Sequence, residues 1–280
     1  MYRIVEKQAL TPTLTRLTVE APFVARKAQP GQFIILRVDE NGERIPITIH
    51  DYDREKGTVT IIYQIVGATT LKLEQKQAGE YLQDFVGPLG KATETAGLKK
   101  VAVVGGGVGT AIAYPVAKRL HEEGAEVELI VGFRSKDVVI LEKEFQNACT
   151  SLFIGTDDGS YGQKALVTEL LCQRIEAGAQ YDEVFCVGPL KMMKYVAEVT
   201  RPYGIRTVVS MSPIMVDGTG MCGGCRLRVG GETRFACVDG PDFDGHAVDF
   251  DEAILRSGQY GEQERHAYES ACNLLKKEER

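Results

Sequence analysis

The sequence predicts a β + α/β protein built from three parts. Short β-type runs separated by Gly, Pro and Asp turns fill residues 1–97 and predict a small antiparallel β-barrel. From Leu98 onward, apolar strands alternate with helices, which predicts a parallel doubly wound sheet over residues 98–212. A loop rich in glycine and cysteine follows Pro213, and we interpret residues 213–280 as a small cluster-binding domain with a C-terminal tail.

The strands of the first part are predicted from short runs rich in β-branched and aromatic side chains. These runs are Tyr2–Glu6, Leu14–Glu20, Phe33–Val38 and Thr58–Val66. No strong helical period precedes Thr69–Leu73. We therefore expect a barrel built almost entirely of strands.

The second part begins with Val101–Val104, a continuous apolar run typical of a strand buried on both faces. Further strands are expected at Val127–Val131, Ser151–Gly155, Glu183–Val187 and Thr207–Met211. Helices are expected at Thr110–Glu123, Leu141–Ala148, Lys164–Ala177 and Lys191–Thr200, with a charged helix at Glu262–Glu279 in the third part. Alternation of this kind places the carboxyl ends of the strands along one ligand-binding edge.

Composition limits the possible partners. The chain has 280 residues, a hydrophobic fraction of 44% and a net charge of −6 from 33 basic and 39 acidic residues. This acidic balance argues against nucleic acid as a partner. No run approaches the roughly 18 apolar residues of a membrane span, so no membrane partner is expected. The first residues lack the apolar core of a signal peptide, which predicts a cytoplasmic protein.

The cysteine loop predicts a [2Fe-2S] cluster. Plant-type clusters use a C-x4-C-x2-C spacing and a more distant fourth cysteine. Here Asp217, Cys222, Cys225 and Cys237 follow that pattern, with an aspartate at the first position. The glycines between them allow the tight turns that four ligands around one cluster require. We therefore expect these four residues to be the metal ligands.

Two alternatives remain for this loop. The three cysteines and His246 also match the ligand types of a structural zinc site. Asp217 is also typical of a turn-capping residue, in which case water or another side chain would complete the cluster.

The glycine loop Gly105–Gly109 follows a strand and opens a helix, a context that directs backbone N–H groups toward a diphosphate. The expected nucleotide contacts are Gly105, Gly106, Gly107, Gly109 and Thr110. Thr110 occupies the last glycine position of the GxGxxG pattern, so a purely structural turn is the alternative.

The carboxyl edge of the predicted sheet supplies more candidates for nucleotide binding: Arg134, Asp157, Asp158, Gly188 and Pro189. Arg134 can accommodate the 2′-phosphate of NADP, whereas an acidic residue nearby, such as Asp137, favours NAD. The sequence therefore leaves NAD(H) and NADP(H) open, and Arg134 can equally be a solvated surface charge. Cys186 can face a nicotinamide or fill the core.

Two segments of the first part have the chemistry of a flavin site. An arginine can neutralise a flavin diphosphate, a threonine hydroxyl can reach the flavin N5 region, and a glycine turn can offer N–H donors to phosphate. The candidates are Arg44, Pro46, Ile47, Thr48, Ile65, Val66, Gly67, Thr69 and Thr70. An ordinary strand and turn is the alternative interpretation.

Together these segments resemble the ferredoxin-reductase-like electron-transfer subunits, which combine an FAD-binding barrel, a pyridine-nucleotide domain and a C-terminal [2Fe-2S] domain. The resemblance covers essentially the whole chain. It is strongest at Arg44–Thr48, Gly105–Gly109, Cys186–Pro189, Cys222–Cys225 and Cys237–Pro241.

Two branches of the family compete. The electron-transfer subunit of dihydroorotate dehydrogenase normally has four cysteine ligands, whereas the small subunit of the NADH-dependent reduced ferredoxin:NADP oxidoreductase has an aspartate at one of them. Asp217 resembles the second branch.

This resemblance implies a relay from NADH through FAD to the [2Fe-2S] cluster. It also implies a larger flavin and iron–sulfur partner subunit, contact with ferredoxin through that subunit, and electron bifurcation in the assembly. A non-catalytic redox-sensing subunit and a plain flavin reductase with a structural zinc are the alternatives.

Overall fold

The computed structural model describes the backbone of residues 1–278 and the side chains of residues 1–273. The first part is a seven-stranded antiparallel sheet in the order β6-β1-β2-β5-β4-β3-β7. Its strands are β1 (Tyr2–Thr11), β2 (Leu14–Glu20), β3 (Phe33–Arg37), β4 (Ile45–Asp53), β5 (Thr58–Gln64), β6 (Tyr81–Leu82) and β7 (Asp84–Leu89). The sheet curves into a nearly closed barrel, as the sequence predicts.

The interior of the barrel is filled by side chains at alternating strand positions, because successive residues of a strand point to opposite faces. Leu17, Ile34, Leu36, Ile61 and Phe85 are fully buried there. Two helices interrupt the strands, α1 (Pro22–Lys27) and α2 (Ala68–Gln75). Helix α1 was not predicted, because six residues are too few to show a helical period.

The second part is a seven-stranded sheet in the order β11-β10-β9-β8-β12-β13-β16. Its strands are β8 (Lys100–Gly106), β9 (Glu126–Phe133), β10 (Ser151–Thr156), β11 (Gln163–Lys164), β12 (Glu183–Val187), β13 (Arg206–Ser210) and, from the third part, β16 (Asp242–Asp244). The helices beside it are α3 (Gly109–Glu122), α4 (Glu142–Asn147), α5 (Val167–Glu176) and α6 (Leu190–Thr200). All neighbouring pairs are parallel except β13 with β16.

The parallel doubly wound prediction is confirmed. Val101–Val104 has no exposed side chain, which agrees with a strand covered on both faces. The direction of strand addition reverses between β8 and β12, and a reversal of this kind opens a crevice at the carboxyl ends of the strands. The crevice therefore lies beside the glycine loop that follows β8.

The third part is more regular than the tail that we expected. It contains a hairpin of β14 (Arg226–Val229) and β15 (Glu232–Phe235), strand β16, and helices α7 (Phe250–Ser257) and α8 (Gly261–Glu278). Asp249 caps α7 by accepting a hydrogen bond from the Glu252 amide at 2.9 Å. The predicted last helix agrees with α8, although Glu279 lies outside the described residues.

Strand β16 of the third part is the edge strand of the second sheet, since Phe243 of β16 pairs with Val209 of β13. The predicted domain boundaries near 97 and 212 remain predictions. Within residues 1–278, none of the helices has both the length and the apolar character needed to cross a bilayer.

The segment around Lys91 and Thr93, which joins the barrel to the second sheet, forms hydrogen bonds with both the barrel and the third part. The Thr93 amide donates to the Pro30 carbonyl at 3.0 Å, on the barrel side. The Lys91 amide donates to the Gly240 carbonyl at 2.7 Å, and the Thr93 hydroxyl donates to Asp242 Oδ2 at 2.5 Å. All three parts therefore meet at this segment.

A buried acid lies at the start of β12. Glu183 is only 2% exposed, and its Oε2 lies 2.8 Å from Nη1 of Arg206 on β13. Burial raises the pKa of the Glu183 carboxyl to about 7, and the charges of Asp242 and Glu94 act in the same direction. Arg206 opposes this shift without reversing it.

This raised pKa predicts a pH-dependent contribution to stability. Between pH 4.5 and pH 7 the folded chain binds a proton at Glu183 that the unfolded chain releases. The stabilisation is fully present below the lower value and is lost as the pH rises through the upper one. Relative to Glu183→Gln, the free energy of unfolding of the wild type should fall by about 2–3 kcal/mol from about pH 5 to about pH 8.

Urea unfolding at both pH values measures this difference. Glu6→Gln is the matched control, because Glu6 is an exposed carboxyl on β1 of the barrel and is not among the groups that shift the pKa of Glu183. An unchanged pH slope in Glu183→Gln would contradict the prediction.

Candidate cofactor-binding sites

The predicted nucleotide loop connects β8 to α3 and has one open side. Gly107 adopts a φ of +57°, and a Cβ added there would meet no atom within 4 Å. A Cβ added at Gly109 would lie 2.5 Å from the Val187 carbonyl oxygen. The Thr110 hydroxyl closes the loop by donating to the Gly107 carbonyl at 2.8 Å. The loop therefore packs against β12 on one side and leaves its other side free for a ligand.

The end of β12 completes this edge of the crevice. A Cβ at Gly188 would lie 3.1 Å from the Gly106 carbonyl oxygen, so the two backbones are in close contact. Pro189 follows and is exposed. Cys186, by contrast, is fully buried, and burial raises the pKa of its thiol. It fills the core and does not face the crevice.

Arg134, Asp157 and Asp158 lie at the neighbouring strand ends, and all three are exposed. The Asp158 amide donates to the Arg134 carbonyl at 3.3 Å, so the two turns are in contact. The Ser160 hydroxyl donates to Asp158 Oδ1 at 2.6 Å, and hydrogen bonds from Ser160 lower the pKa of the Asp158 carboxyl. This edge therefore presents both a cation and carboxylates to a nucleotide.

The two predicted flavin segments come together in the barrel. The Thr69 hydroxyl donates to Glu43 Oε2 at 2.7 Å, which joins the start of α2 to the residue before Arg44. Glu43 was not predicted, because nothing in its local sequence indicates a partner 26 residues away. Pro46, Ile47 and Thr48 follow on β4, where Thr48 pairs with Phe33 of β3.

The turn before α2 is capped by Thr70 and is open on its outer side. Thr70 Oγ1 accepts hydrogen bonds from the Val66 and Gly67 amides, each at 3.0 Å. A Cβ added at Gly67 would meet nothing within 4 Å, and Val66 is 69% exposed. Ile65, before this turn, packs against the barrel core. Because Thr70 uses the Val66 and Gly67 amides, the N-terminus of α2 beside this open space is the part that fits a diphosphate such as that of FAD.

A narrow cleft lies where the three parts meet. Pro46 and Thr48 line it from the barrel, Ile112 and Val187 from the nucleotide-binding part, and Met215 from the segment before the cysteine loop. Arg44 adds a further link, since its Nε donates to the Val216 carbonyl at 2.9 Å. The predicted flavin strand β4, the predicted nucleotide helix α3 and the segment before the predicted cluster loop therefore line the same cleft.

Two of the predicted cluster ligands are close together and buried. The sulfur atoms of Cys225 and Cys237 are 3.3 Å apart, and each residue is 2% exposed. Two thiolates on one tetrahedral metal lie about 3.8 Å apart when each metal–sulfur bond is about 2.3 Å. This pair therefore needs little movement to bind one iron. Burial, followed by the contact with Cys225, raises the pKa of the Cys237 thiol to about 12.

The other two predicted ligands lie in the exposed half of the loop. The Cys222 sulfur accepts a hydrogen bond from the Gly224 amide at 3.5 Å. Asp217 Oδ1 accepts from the Thr219 amide and Oδ2 from the Cys222 amide, both at 2.8 Å. These bonds lower the pKa of Asp217, so its carboxylate is anionic at neutral pH. Asp217 caps the turn, and each oxygen retains a lone pair for a metal.

The zinc alternative with His246 does not fit this arrangement. His246 Nε2 lies 3.0 Å from the Thr200 hydroxyl at the end of α6, and its carbonyl accepts from Arg201 at 2.8 Å. Among the described residues, no three His, Cys, Asp or Glu side chains converge as ligands of a single metal ion. Three thiols and one carboxylate spread over a loop fit a two-iron cluster better, because two metals share the ligands.

Comparison with known proteins agrees with this geometry. Residues 212–249 match the family described as the iron–sulfur cluster binding domain of dihydroorotate dehydrogenase B. A Thermotoga maritima protein named dihydroorotate dehydrogenase B (NAD(+)), electron transfer subunit homolog is 43% identical over 269 residues, 96% of this chain and 95% of that protein. The corresponding electron transfer subunit from Shouchella clausii is 35% identical and covers 86% of this chain and 94% of its own length.

Among solved structures, one from work on flavin-based electron bifurcation by the NADH-dependent reduced ferredoxin-NADP oxidoreductase superposes with a TM-score of 0.92. It is 40% identical and covers 96% of this chain and 97% of its own. The similarity therefore extends over all three parts of the fold. The chain belongs to the family of electron transfer subunits that includes those of dihydroorotate dehydrogenase B, and these are flavoprotein oxidoreductases that use FAD, NAD(H) and an iron–sulfur cluster.

Proposed function

We propose that this chain is the small subunit of a cytoplasmic electron-bifurcating ferredoxin:NADP(H) transhydrogenase. In this role it passes electrons between NAD(H) and a larger flavin and iron–sulfur subunit, which in turn contacts ferredoxin. The cleft shared by Thr48, Ile112 and Met215 is the main observation in support, because it joins the three predicted cofactor sites. The likeness to the bifurcating oxidoreductase over 96% of the chain adds to it.

Each part of the chain has a distinct role in this proposal. The glycine loop, Thr110 and the strand ends at Arg134, Asp157, Asp158, Gly188 and Pro189 bind the nucleotide. Arg44, the β4 residues up to Thr48 and the turn from Ile65 to Thr70 hold FAD. Asp217, Cys222, Cys225 and Cys237 hold the cluster. When bound, FAD supplies the exchange between hydride and single electrons.

The contacts of the cysteine loop also divide its ligands into two pairs. The close sulfur atoms of Cys225 and Cys237 would hold one iron. Asp217 and Cys222, joined by the bond from the Cys222 amide, would hold the other. A carboxylate on the exposed iron distinguishes this cluster from one with four cysteine ligands.

A second candidate is the electron-transfer subunit of an NAD-dependent dihydroorotate dehydrogenase. The match of residues 212–249 and the names of two relatives favour it. Asp217 favours the first candidate, because it replaces a thiolate of the four-cysteine pattern. Copurification of the tagged chain from its own cells separates the two: the partner subunit should reduce NADP⁺ with reduced ferredoxin and should not oxidise dihydroorotate.

The relay itself is tested on the purified chain under anaerobic conditions. We expect about two irons, two acid-labile sulfides and one FAD per chain, with NADH-dependent reduction of an artificial dye. Zinc without sulfide would overturn the cluster assignment and leave a flavin reductase. A fully loaded chain without dye reduction would instead indicate a redox-sensing subunit.

Asp217→Cys tests the oxygen ligand. If Asp217 binds iron, a thiolate in its place should change both the EPR g-values and the reduction potential of the cluster, since the ligand field and charge distribution change. Potentiometric EPR titration measures both. Asp249→Asn, which removes a capping carboxylate from α7, is the control and should change neither. Unchanged spectra in Asp217→Cys would leave Asp217 as a turn cap only.

Gly109→Ala tests the nucleotide loop. The added Cβ would lie 2.5 Å from the Val187 carbonyl oxygen, so the loop has to move and its N–H groups lose their alignment with the diphosphate. We expect the KM for NADH to rise by about 10-fold or more, equivalent to about 1.4 kcal/mol of binding, with normal FAD and iron content. Gly261→Ala, at an open position, should have the wild-type KM. Equal KM values in the two variants would contradict a role for this loop in binding.

A further inference from the structure

Helix α3 contains a proline, and this residue leaves one backbone carbonyl without its helical partner. Pro115 lies in the interior of the helix and has no N–H group. In a regular helix that N–H would donate to the carbonyl four residues earlier, which is the carbonyl of Ala111. Ala111 is 1% exposed, so water does not readily replace the missing donor. A buried carbonyl in this position needs a partner from elsewhere in the chain.

His50 of the barrel supplies that partner. Its Nδ1 lies 2.7 Å from the Ala111 carbonyl oxygen, and the residue is 4% exposed. A carbonyl oxygen only accepts hydrogen bonds, so Nδ1 has to be the protonated ring nitrogen. Burial lowers the pKa of His50 to about 4, which leaves the ring neutral at neutral pH, with its one proton on Nδ1.

The barrel strand is irregular where it presents this side chain. The pairing of β4 with β5 shifts between Ile49 and Asp51, so His50 lies in a bulge. Bulges redirect a side chain away from the regular face of a sheet. The His50 ring also packs on Tyr114 of α3, with ring centroids 4.9 Å apart. Local backbone geometry and ring packing thus both direct the imidazole to the helix.

Other contacts across this interface are more exposed. Lys118 of α3 pairs with Asp51 at 3.1 Å, with both side chains more than a third exposed. Arg16 of β2 pairs with Glu144 of α4 at 2.8 Å and is also partly exposed. Exposed ion pairs typically contribute little, whereas a buried bond to an otherwise unpaired carbonyl is stronger and more directional.

The bond lies beside the cleft. His50 follows Thr48 by two residues on β4, and Ala111 immediately precedes Ile112 on α3. Thr48 and Ile112 both line the cleft where the flavin strand faces the nucleotide helix. A shift at the bond would therefore change the separation of these two walls.

We propose that His50 is a positioning residue: its Nδ1–H bond to the carbonyl freed by Pro115 fixes the distance between the flavin strand and the nucleotide helix. The step that depends on this distance moves one hydride, two electrons with a proton, from NADH to oxidised FAD, leaving NAD⁺ and FADH⁻. The kinetic role rests on the proposed function, whereas the bond itself does not.

The kinetic test uses two replacements of His50 in the holoprotein. Leucine has a similar size and no donor, while the amide nitrogen of asparagine occupies nearly the same place as Nδ1. In stopped-flow mixing with saturating NADH, His50→Leu should slow flavin reduction by about 10-fold or more, because small misplacements of reacting groups have large effects on rate. The KM for NADH should change little, and His50→Asn should recover most of the rate.

His121→Leu is the control, since His121 is exposed near the end of the same helix. It should react at the wild-type rate. Wild-type rates in His50→Leu, or equal losses in the leucine and asparagine variants, would overturn the positioning role.

A second test needs no activity. The chain has 4 histidines, so ¹⁵N spectra of labelled protein should resolve a neutral ring protonated at Nδ1 that disappears in His50→Leu. In Pro115→Ala the restored N–H competes for the Ala111 carbonyl. His50→Leu should therefore lower the Tm by about 4 °C in the wild-type background. In the Pro115→Ala background the same substitution should lower the Tm by less than half of that amount.

An Nε2-protonated His50, or fully additive shifts in Tm, would show that the bond is absent. If NADH does not reduce the wild-type flavin at all, the proposed function fails together with the kinetic role of His50. The spectra and the Tm cycle then still decide whether the bond exists.

Discussion

The close approach of the backbone at the carboxyl ends of β8 and β12 is the constraint on which the rest of the site depends. Gly109 lies against the Val187 carbonyl, and Gly188 lies against the Gly106 carbonyl, at distances that leave no room for a side chain. This contact sets the direction of α3, because the helix starts at Gly109. The direction of α3 in turn brings Ala111 to the barrel and Ile112 to the cleft.

The third part is fixed to both the second sheet and the barrel. Strand β16 pairs with the edge strand β13, and Asp242 accepts a hydrogen bond from Thr93 in the segment that leaves the barrel. Arg44 of the flavin segment reaches the Val216 carbonyl just before Asp217. The cysteine loop is thus positioned by backbone pairing, by a partly buried carboxylate and by one arginine, and its own side chains remain available to a cluster.

Much of this fold could be predicted from sequence, since strands β2 and β12 have the predicted bounds and the alternation after Leu98 gave the parallel sheet. Those elements have strong local patterns. Strand β16 has three residues and exists because β13 offers an edge, which no local pattern encodes. The cysteine spacing was visible for the same local reason, whereas the contacts of Glu43 with Thr69 and of His50 with Ala111 join distant residues. The assigned binding roles of individual residues remain predictions.

The pairing of β16 with β13 limits how far the cysteine loop can move. Strand β16 follows the cysteine loop in the chain and is hydrogen-bonded to the second sheet. The loop therefore cannot move as a separate unit between an electron donor and an acceptor without breaking this pairing. The tip of the loop is nevertheless at the surface, where Met221 is 87% exposed beside Cys222. The proposed relay therefore requires an acceptor to dock at this exposed tip, because the loop cannot move to reach it.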